Sequence, residues 1–390
     1  MLGLSSMKKW MNPMGNDEIS KKKLAELQEF DPELIVVFAD KFNRSHFSVW
    51  EPYLSRIPIK IAICAKSCSE KNQNLTFPIF TQENGFDISH VGQLKNLRVL
   101  FYVSNFPNNW KYFYQFPRTL NINNDVTHVF AGHGDSDKES SFSKVSMIYD
   151  YLLVADDAAV ARYHRNGVLI PNERFLLMGA PTMPGITVRP TSSKISTVLY
   201  APTFEAKRAD ANFSSLEKIR ELLIRASLIK QYNFLLRAHP STGVRLPSYK
   251  DYVAELKSIF LTTPKSKVDA FNLSDAIITD ISGVMTEYLF TGKPIILPLS
   301  QDDSLTRAVL EKSEVKDAVY VWNYESISLN DFLNSISHDP LSYARNELRR
   351  KKYLNANSFN DSLRNFIRVM GGFFGSSLES IPLGKIDPKQ

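Results

Sequence analysis

Four short segments carry residue types suited to phosphate chemistry, and each follows an apolar run that reads as a strand. The first, THVFAGHGDSDKESS, sets His133 between Gly132 and Gly134, with Asp135 and Lys138 just beyond. Glycines on both sides let the chain turn tightly and present the ring, and an imidazole titrates near neutrality, so His133 is a candidate general base. Asp135 or Asp137 can orient that ring and Lys138 can hold a phosphate. The second segment, VLYAPTFEAKRAD, leaves its strand at Ala201-Pro202-Thr203 and carries Lys207 and Arg208, two cations that suit a diphosphate. In the third, FLLRAHPST, Arg237 and His239 leave a strand together and Pro240 stiffens the turn. That pair suits phosphate binding or protonation of a leaving group.

The fourth segment, LSDAIITDISGVMTEYLFTGKPIILP, is the most informative. It reads as a buried strand (Ala276–Thr279), a polar turn (Asp280–Gly283), a helix (Val284–Phe290) and a second buried strand (Pro294–Leu297). Ser282, Gly283 and the first free backbone N–H groups of the helix gather where partial positive charge and unpaired donors meet an anion. Glu287, one turn later, can reach hydroxyls on whatever carries the phosphate. The bland reading of all four segments is a solvated strand-end turn, and for the last a plain β-α-β unit. There is no GxxxxGKS/T loop, no GxGxxG after a strand and no GxSxG elbow, which argues against a Walker nucleotide site, a nicotinamide cofactor and a hydrolase elbow.

The elements that must position these residues follow from short apolar runs. Leu34–Ala39, Ile59–Ala65, Phe77–Thr81, Arg98–Val103, Val126–Ala131, Tyr151–Ala155 and Phe175–Met178 read as one strand series, several of them followed by polar or helical stretches. The stretch GAPTMPGITVRPTSSKIS (Gly179–Ser196) is rich in Pro, Gly and Ser/Thr and reads as a linker. A second series follows at Thr197–Tyr200, Asn233–Arg237, Ile259–Thr262, Ala276–Thr279, Ile295–Leu297 and Ala318–Val321, with helices near Ser215–Leu228 and Lys250–Lys257 and a mostly helical Ser335–Val369. The expected fold is α/β, with one domain over residues 1–185 and a second over 186–390 that includes the C-terminal helices. Ligands of open parallel sheets sit outside the C-terminal strand ends, so a cleft between two such edges is the expected site.

Composition bounds the rest. The 390 residues, 43% hydrophobic and 23% charged, suit two globular domains. A net charge of +6 favours an anionic partner. No zinc-finger spacing, RNP-like motif or long basic arm supports nucleic acid. Cys64 and Cys68 make neither a disulfide framework nor a metal site, and no metal or other cofactor is expected. The N-terminus lacks an apolar h-region and no long apolar run occurs, so the expectation is a cytoplasmic protein whose membrane contact, if any, is peripheral. The basic segment RNELRRKKYLN (Arg345–Asn355) reads first as a solvated helix face and second as a contact for an anionic acceptor or lipid headgroups.

Taken in order, the segments resemble the CDP-glycerol glycerophosphotransferase family, the primases and polymerases of bacterial teichoic acids and capsules. The resemblance rests on His133-Gly134…Lys138, on Tyr200–Thr203, on Arg237, His239 and Pro240, and on Ser274–Ser282 followed by Gly292–Ile296. It implies two Rossmann-like domains facing each other across a cleft, a GT-B-like fold. It further implies metal-independent transfer from a CDP-activated alditol phosphate to an acceptor hydroxyl, with release of CMP. His133 would be the base, with Asp135 beside it. Arg237 and His239 would face the donor diphosphate, and Lys138, Thr203, Asp280, Ser282 and Gly283 would surround the donor phosphates. Glu287 would sit near ribose or alditol hydroxyls. The family commonly has a second Ser where this chain has Gly283, and often Asp where it has Glu287. The acceptor would be lipid-linked or a glycan. The alternative is a GT-B glycosyltransferase that uses a nucleotide sugar, and further alternatives are an epimerase and a non-enzymatic binding module.

Overall fold

The computed structural model describes residues 17–69, 75–86, 88–104, 126–132, 144–189, 194–206, 212–260, 263–375 and 378. Helix α1 (Asp17–Phe30) leads into β1 (Leu34–Lys41), the short helices α2 (Arg44–Phe47) and α3 (Glu51–Leu54), β2 (Ile61–Ser67), β3 (Ile79–Thr81), β4 (Val99–Tyr102), β5 (Thr127–Phe130), β6 (Tyr151–Val154), α4 (Asp157–Arg165) and β7 (Phe175–Leu177). These strands form a seven-stranded parallel sheet ordered β3-β2-β1-β4-β5-β6-β7. The chain continues through β8 (Thr197–Ala201), α5 (Leu216–Leu228), β9 (Asn233–Leu236), α6 (Ser248–Ile259), α7 (Lys267–Leu273), β10 (Ala276–Thr279), α8 (Gly283–Leu289), β11 (Ile295–Leu299), α9 (Ser304–Lys312), β12 (Tyr320–Asn323), α10 (Leu329–Ser335), α11 (Ser342–Lys352) and α12 (Phe359–Phe374). Its strands form a five-stranded parallel sheet ordered β12-β11-β10-β8-β9. The structure is thus two Rossmann-like α/β units in a GT-B-like pairing, as the resemblance implies.

The strands are continuous apolar runs because each sheet is covered on both faces. Along β1, Leu34, Val36 and Phe38 enter one core while Ile35 and Val37 enter the other. In β8, Val198 and Tyr200 face one core and Leu199 and Ala201 the opposite one. This is the period-two alternation of a strand, with both faces buried.

Strand order fixes where ligands can enter. From β1 the chain moves outward to β2 and β3, then returns to lay β4 on β1's other side. From β8 it moves to β9, then returns to lay β10 on β8's other side. Connections diverge between β1 and β4 and between β8 and β10, which opens a crevice at the C-terminal ends of each pair.

Two sequence expectations change here. Ile259 closes helix α6 rather than opening a strand: Tyr249 and Leu256 bury one helical face and Phe260 stays in the same core. Pairing of the edge strand begins at Tyr320, opposite Ile296, two residues later than its apolar run. The last helix packs on the first sheet. Phe359, Leu363, Phe366, Ile367, Met370 and Phe374 of α12 share the first sheet's core with β1 and β2, a helical stripe at intervals of three, four and seven. The buried Tyr53 hydroxyl locks this return. It lies 2.8 Å from Ser362 Oγ and accepts the Thr182 backbone N–H at 2.8 Å. Burial pushes its pKa up to about 12.

The linker threads between the units. Gly179 has φ +81, and a Cβ there would lie 3.1 Å from the Tyr353 carbonyl carbon and oxygen. Only glycine gives both the left-handed turn and that approach, which lets the Ala180 N–H reach the Lys352 carbonyl at 2.8 Å. Beside it, buried Arg162 of α4 pairs with Glu314, and Lys352 reaches Glu314 at 3.1 Å and Asp156 at 3.8 Å. Two cations and two carboxylates thus balance across the junction.

Candidate active site

The second sheet's crevice is built on one buried carboxylate. Asp280, directly after β10 and 2% exposed, accepts the Thr203 N–H at 2.7 Å and the Ser215 N–H at 3.1 Å. Thr279 Oγ1 donates to the Ala201 carbonyl at 2.8 Å, and Ser214 Oγ donates to the Thr203 carbonyl at 3.0 Å. Asp280 therefore stitches the loop after β8 and the start of α5 to β10. Its oxygens accept backbone donors, so in this structure it acts as a strut between these loops. Thr203, with its backbone N–H and carbonyl both engaged, belongs to the same strut.

A second buried carboxylate shapes the neighbouring loop. Glu205 accepts the N–H groups of Gly243, Arg245 and Leu246 at 2.9–3.1 Å. Burial raises its pKa, but the backbone donors outweigh burial and hold it below the usual glutamate value. Nothing in the sequence separates Glu205 from a solvated loop residue. Its role depends on a loop some forty residues away.

That loop carries Arg237 and His239. The Ser241 N–H donates to His239 Nδ1 at 3.0 Å, which places the proton of the neutral ring on Nε2. The imidazole lies 4.7 Å from the Phe204 ring, centroid to centroid. A half-buried ring fixed in that tautomer can donate from Nε2 to a phosphate oxygen. Burial lowers the Arg237 pKa and the charge of Glu287 opposes the shift; the guanidinium remains cationic.

Ser282 sits ahead of α8 in extended conformation with a buried hydroxyl that makes no hydrogen bond among the described residues. A buried unsatisfied hydroxyl costs about 1–3 kcal/mol, so it is poised for a ligand oxygen. A Cβ on Gly283 would meet nothing within 4 Å, which shows open space above the turn and room for the serine common in the family pattern. Glu287 receives Lys267 Nζ on both oxygens at 2.9 Å. The pair lines the interdomain cleft with Ser48, Val49, Thr182 and Met183.

The structure thus brings Arg237, His239, Ser282, Gly283 and Glu287 to one sheet edge. Lys267 is a cleft residue that the sequence reading does not single out. His133, Asp135, Lys138, Lys207 and Arg208 lie outside the described residues. Lys293 of the GKPII segment has a structural task. Its ammonium donates to the carbonyls of Phe271, Asn272 and Ser274 at the end of α7. Burial and then Arg189 lower its pKa to about 8, opposed by Asp275.

The basic segment also resolves differently from a solvated face. Arg345 is fully buried, donates to the Gly292 and Ala318 carbonyls and pairs with Asp339. Arg349 donates to the Ala356 carbonyl at 3.1 Å and to Asn357 Oδ1 at 2.9 Å. With Lys352 in the interdomain cluster, only Arg350 and Lys351 of these five cations are exposed. Among the described residues, no helix is long and apolar enough to cross a membrane.

Residues 131–304 match the family model described as CDP-Glycerol:Poly(glycerophosphate) glycerophosphotransferase. The resemblance carried by the motifs is borne out over that stretch, which is similar to a family of transferases. The teichoic acid glycerol-phosphate primase of Bacillus subtilis (strain 168) is 28% identical over 168 residues, 40% of this chain and 41% of the primase. The chain therefore matches about two-fifths of the length of that curated relative. The wall teichoic acid polymerase TagF superposes over 97% of this chain and 99% of its own with a TM-score of 0.54 at 13% identity. Another TagF structure, described as soaked with CDPG, covers 93% of this chain and 94% of its own at 14% identity and a TM-score of 0.52. The UDP-GlcNAc 2-epimerase of Methanocaldococcus jannaschii covers 87% of this chain and 99% of its own at 14% identity, with a TM-score of 0.54. These structural likenesses concern the fold.

Proposed function

We propose that this chain transfers a glycerol-phosphate or related alditol-phosphate unit from a CDP-activated donor to a hydroxyl of a lipid-linked or glycan acceptor in bacterial envelope polymer synthesis. The observation that carries this reading is the convergence of Arg237, His239 and the unsatisfied Ser282 hydroxyl at one sheet edge, inside the stretch that matches the glycerophosphotransferase family. The CDPG soak of TagF and the activity named for the Bacillus primase support CDP-glycerol as the donor class.

In the proposed step, an acceptor oxygen attacks the phosphorus that bears the glycerol. A P–O bond forms to the acceptor, and the bond from that phosphorus to the bridging oxygen breaks. CMP leaves with the electron pair, and the acceptor proton passes to a base, the role assigned to His133. Arg237, the Ser282 hydroxyl and the Gly283 N–H stabilise the diphosphate, and His239 Nε2–H steadies or protonates the departing phosphate oxygen. Catalysis then rests on positioning and electrostatics, and no resident cofactor takes part. Glu287, held by Lys267, faces hydroxyls of the donor.

The competing reading is a glycosyltransferase of the same fold that uses a nucleotide sugar. A nucleotide-release assay with CDP-glycerol, CDP-ribitol and UDP-, GDP- and CMP-sugars separates the two. CMP from a CDP-alditol, with loss in His133→Ala and His239→Ala, supports transfer of an alditol phosphate. UDP or GDP from a sugar donor contradicts it.

A further inference from the structure

Lys293 stands in the turn between α8 and β11, and the backbone of that turn is fixed from several sides. The Lys293 N–H donates to Thr291 Oγ1 at 3.1 Å. The Arg189 N–H reaches the Thr291 carbonyl at 2.9 Å, and Arg345 Nε donates to the Gly292 carbonyl at 3.0 Å. From this anchor the buried side chain sends its donors to the end of α7. The Phe271 and Ser274 carbonyls accept at 2.7 Å and the Asn272 carbonyl at 3.3 Å. An ammonium carries three donors on one atom, and three carbonyls receive them. The last carbonyls of a helix have no partner within it and carry partial negative charge, so a cation there answers both needs.

α7 cannot hold itself. Its seven residues are too few for a stable isolated helix, so its placement depends on its ends. At the first turn Ser266 and Asp269 form a capping box. At the same end the Lys267 ammonium meets both oxygens of Glu287 on α8, the pair that lines the cleft. Between the two ends, the Phe271 ring meets Tyr288 of α8 edge-on at 5.0 Å. Lys293 and Lys267 thus act at opposite ends of one short helix that lies against α8. We propose that Lys293 is a positioning residue: it fixes α7 so that Lys267 stays on Glu287. Resting on the proposed transfer, that contact sets the affinity for the hydroxyl-bearing part of the donor.

The test has one arm without ligand and one with it. Lysine-selective 15N NMR of the ligand-free protein, with Lys267→Arg assigning the Nζ resonance, compares wild type with Lys293→Met and Lys293→Arg. The Lys267 signal is expected to move to the position of solvated lysines in Lys293→Met and to return in Lys293→Arg, with circular dichroism unchanged. Should Lys293→Met fail to fold, Lys293→Gln keeps two of the donors and is expected to move the signal part of the way. A Lys267 signal that stays in place in a folded Lys293→Met or Lys293→Gln protein overturns the proposal. In the second arm, CDP-glycerol is titrated calorimetrically into wild type, Lys293→Met, Lys267→Met and the double variant. Each single change is expected to raise Kd about tenfold, and the double variant to stay within about twofold of Lys267→Met. Losses that multiply in the double variant mean that Lys293 acts apart from Lys267 and contradict it. Absence of CDP-glycerol binding by the wild type is a failure of the proposed function, and the ligand-free NMR comparison still decides the role of Lys293.

Discussion

The two divergence points of this molecule are bridged by different chemistry. Between β8 and β10 the bridge is Asp280, 2% exposed, with both oxygens on backbone N–H groups. Between β1 and β4 it is a side-chain pair, His46 and Ser104, with the imidazole half-buried. A carboxylate saturated by the backbone cannot leave without orphaning buried donors, so the second crevice is rigid. Losing an imidazole–hydroxyl contact strands side-chain groups rather than buried backbone donors. The contrast sets a crevice braced by backbone donors against one bridged by side chains, and it shows that a polar residue at a strand end can serve as a strut.

The largest expected effect falls on His239 at the β8/β10 edge. His239→Ala is expected to lower transfer by roughly 10²–10⁴-fold with little change in thermal midpoint, checked by steady-state CMP release alongside calorimetry. Next, Asp280→Ala orphans two buried backbone N–H groups and is expected to lose about 2–4 kcal/mol of stability by chemical denaturation. His46→Ala, at the other bridge, is expected to stay within about 1 kcal/mol. Similar losses at both bridges would erase the distinction between them.

A smaller effect belongs to pH. The folded-state pKa of Glu205 lies below its ordinary value of 4.5. Its contribution is therefore fully present above that value and is lost as pH falls through the folded pKa. Amide hydrogen exchange at Gly243, Arg245 and Leu246, corrected for intrinsic rates, should accelerate relative to β10 on acidification below 4.5, and Glu205→Gln should show that acceleration already at neutral pH. The smallest effect is expected at the exposed Arg350 and Lys351. Reversing both charges should change stability by less than about 0.5 kcal/mol, whereas Arg345→Met should cost about 3–5 kcal/mol by stranding Asp339. Unchanged vesicle binding after the double reversal would remove the basic helix as a lipid contact.

The strands were legible because a parallel sheet covered on both faces writes its members as apolar runs, and all of β1–β7 lie within or beside the expected segments. The third and fourth motifs were legible as strand-end loops because polar residues directly follow those runs. Side-chain direction was not. Asp280 and Glu287 sit seven residues apart in one motif, yet one faces inward to backbone donors and the other faces the cleft beside Lys267. Glu205, Lys293 and Arg345 find their partners on remote segments, and no local pattern encodes such pairings. The return of α12 to the first core had a readable signal in its apolar stripe, but amphipathicity does not say which sheet a helix covers.

Calorimetric titration of CDP-glycerol into wild type and Arg237→Met tests most directly whether the β8/β10 edge holds the donor diphosphate. The expected result is at least tenfold weaker binding in the variant, with an unchanged unfolding transition. Equal affinity in the two proteins, with both folded, would contradict donor binding at this edge.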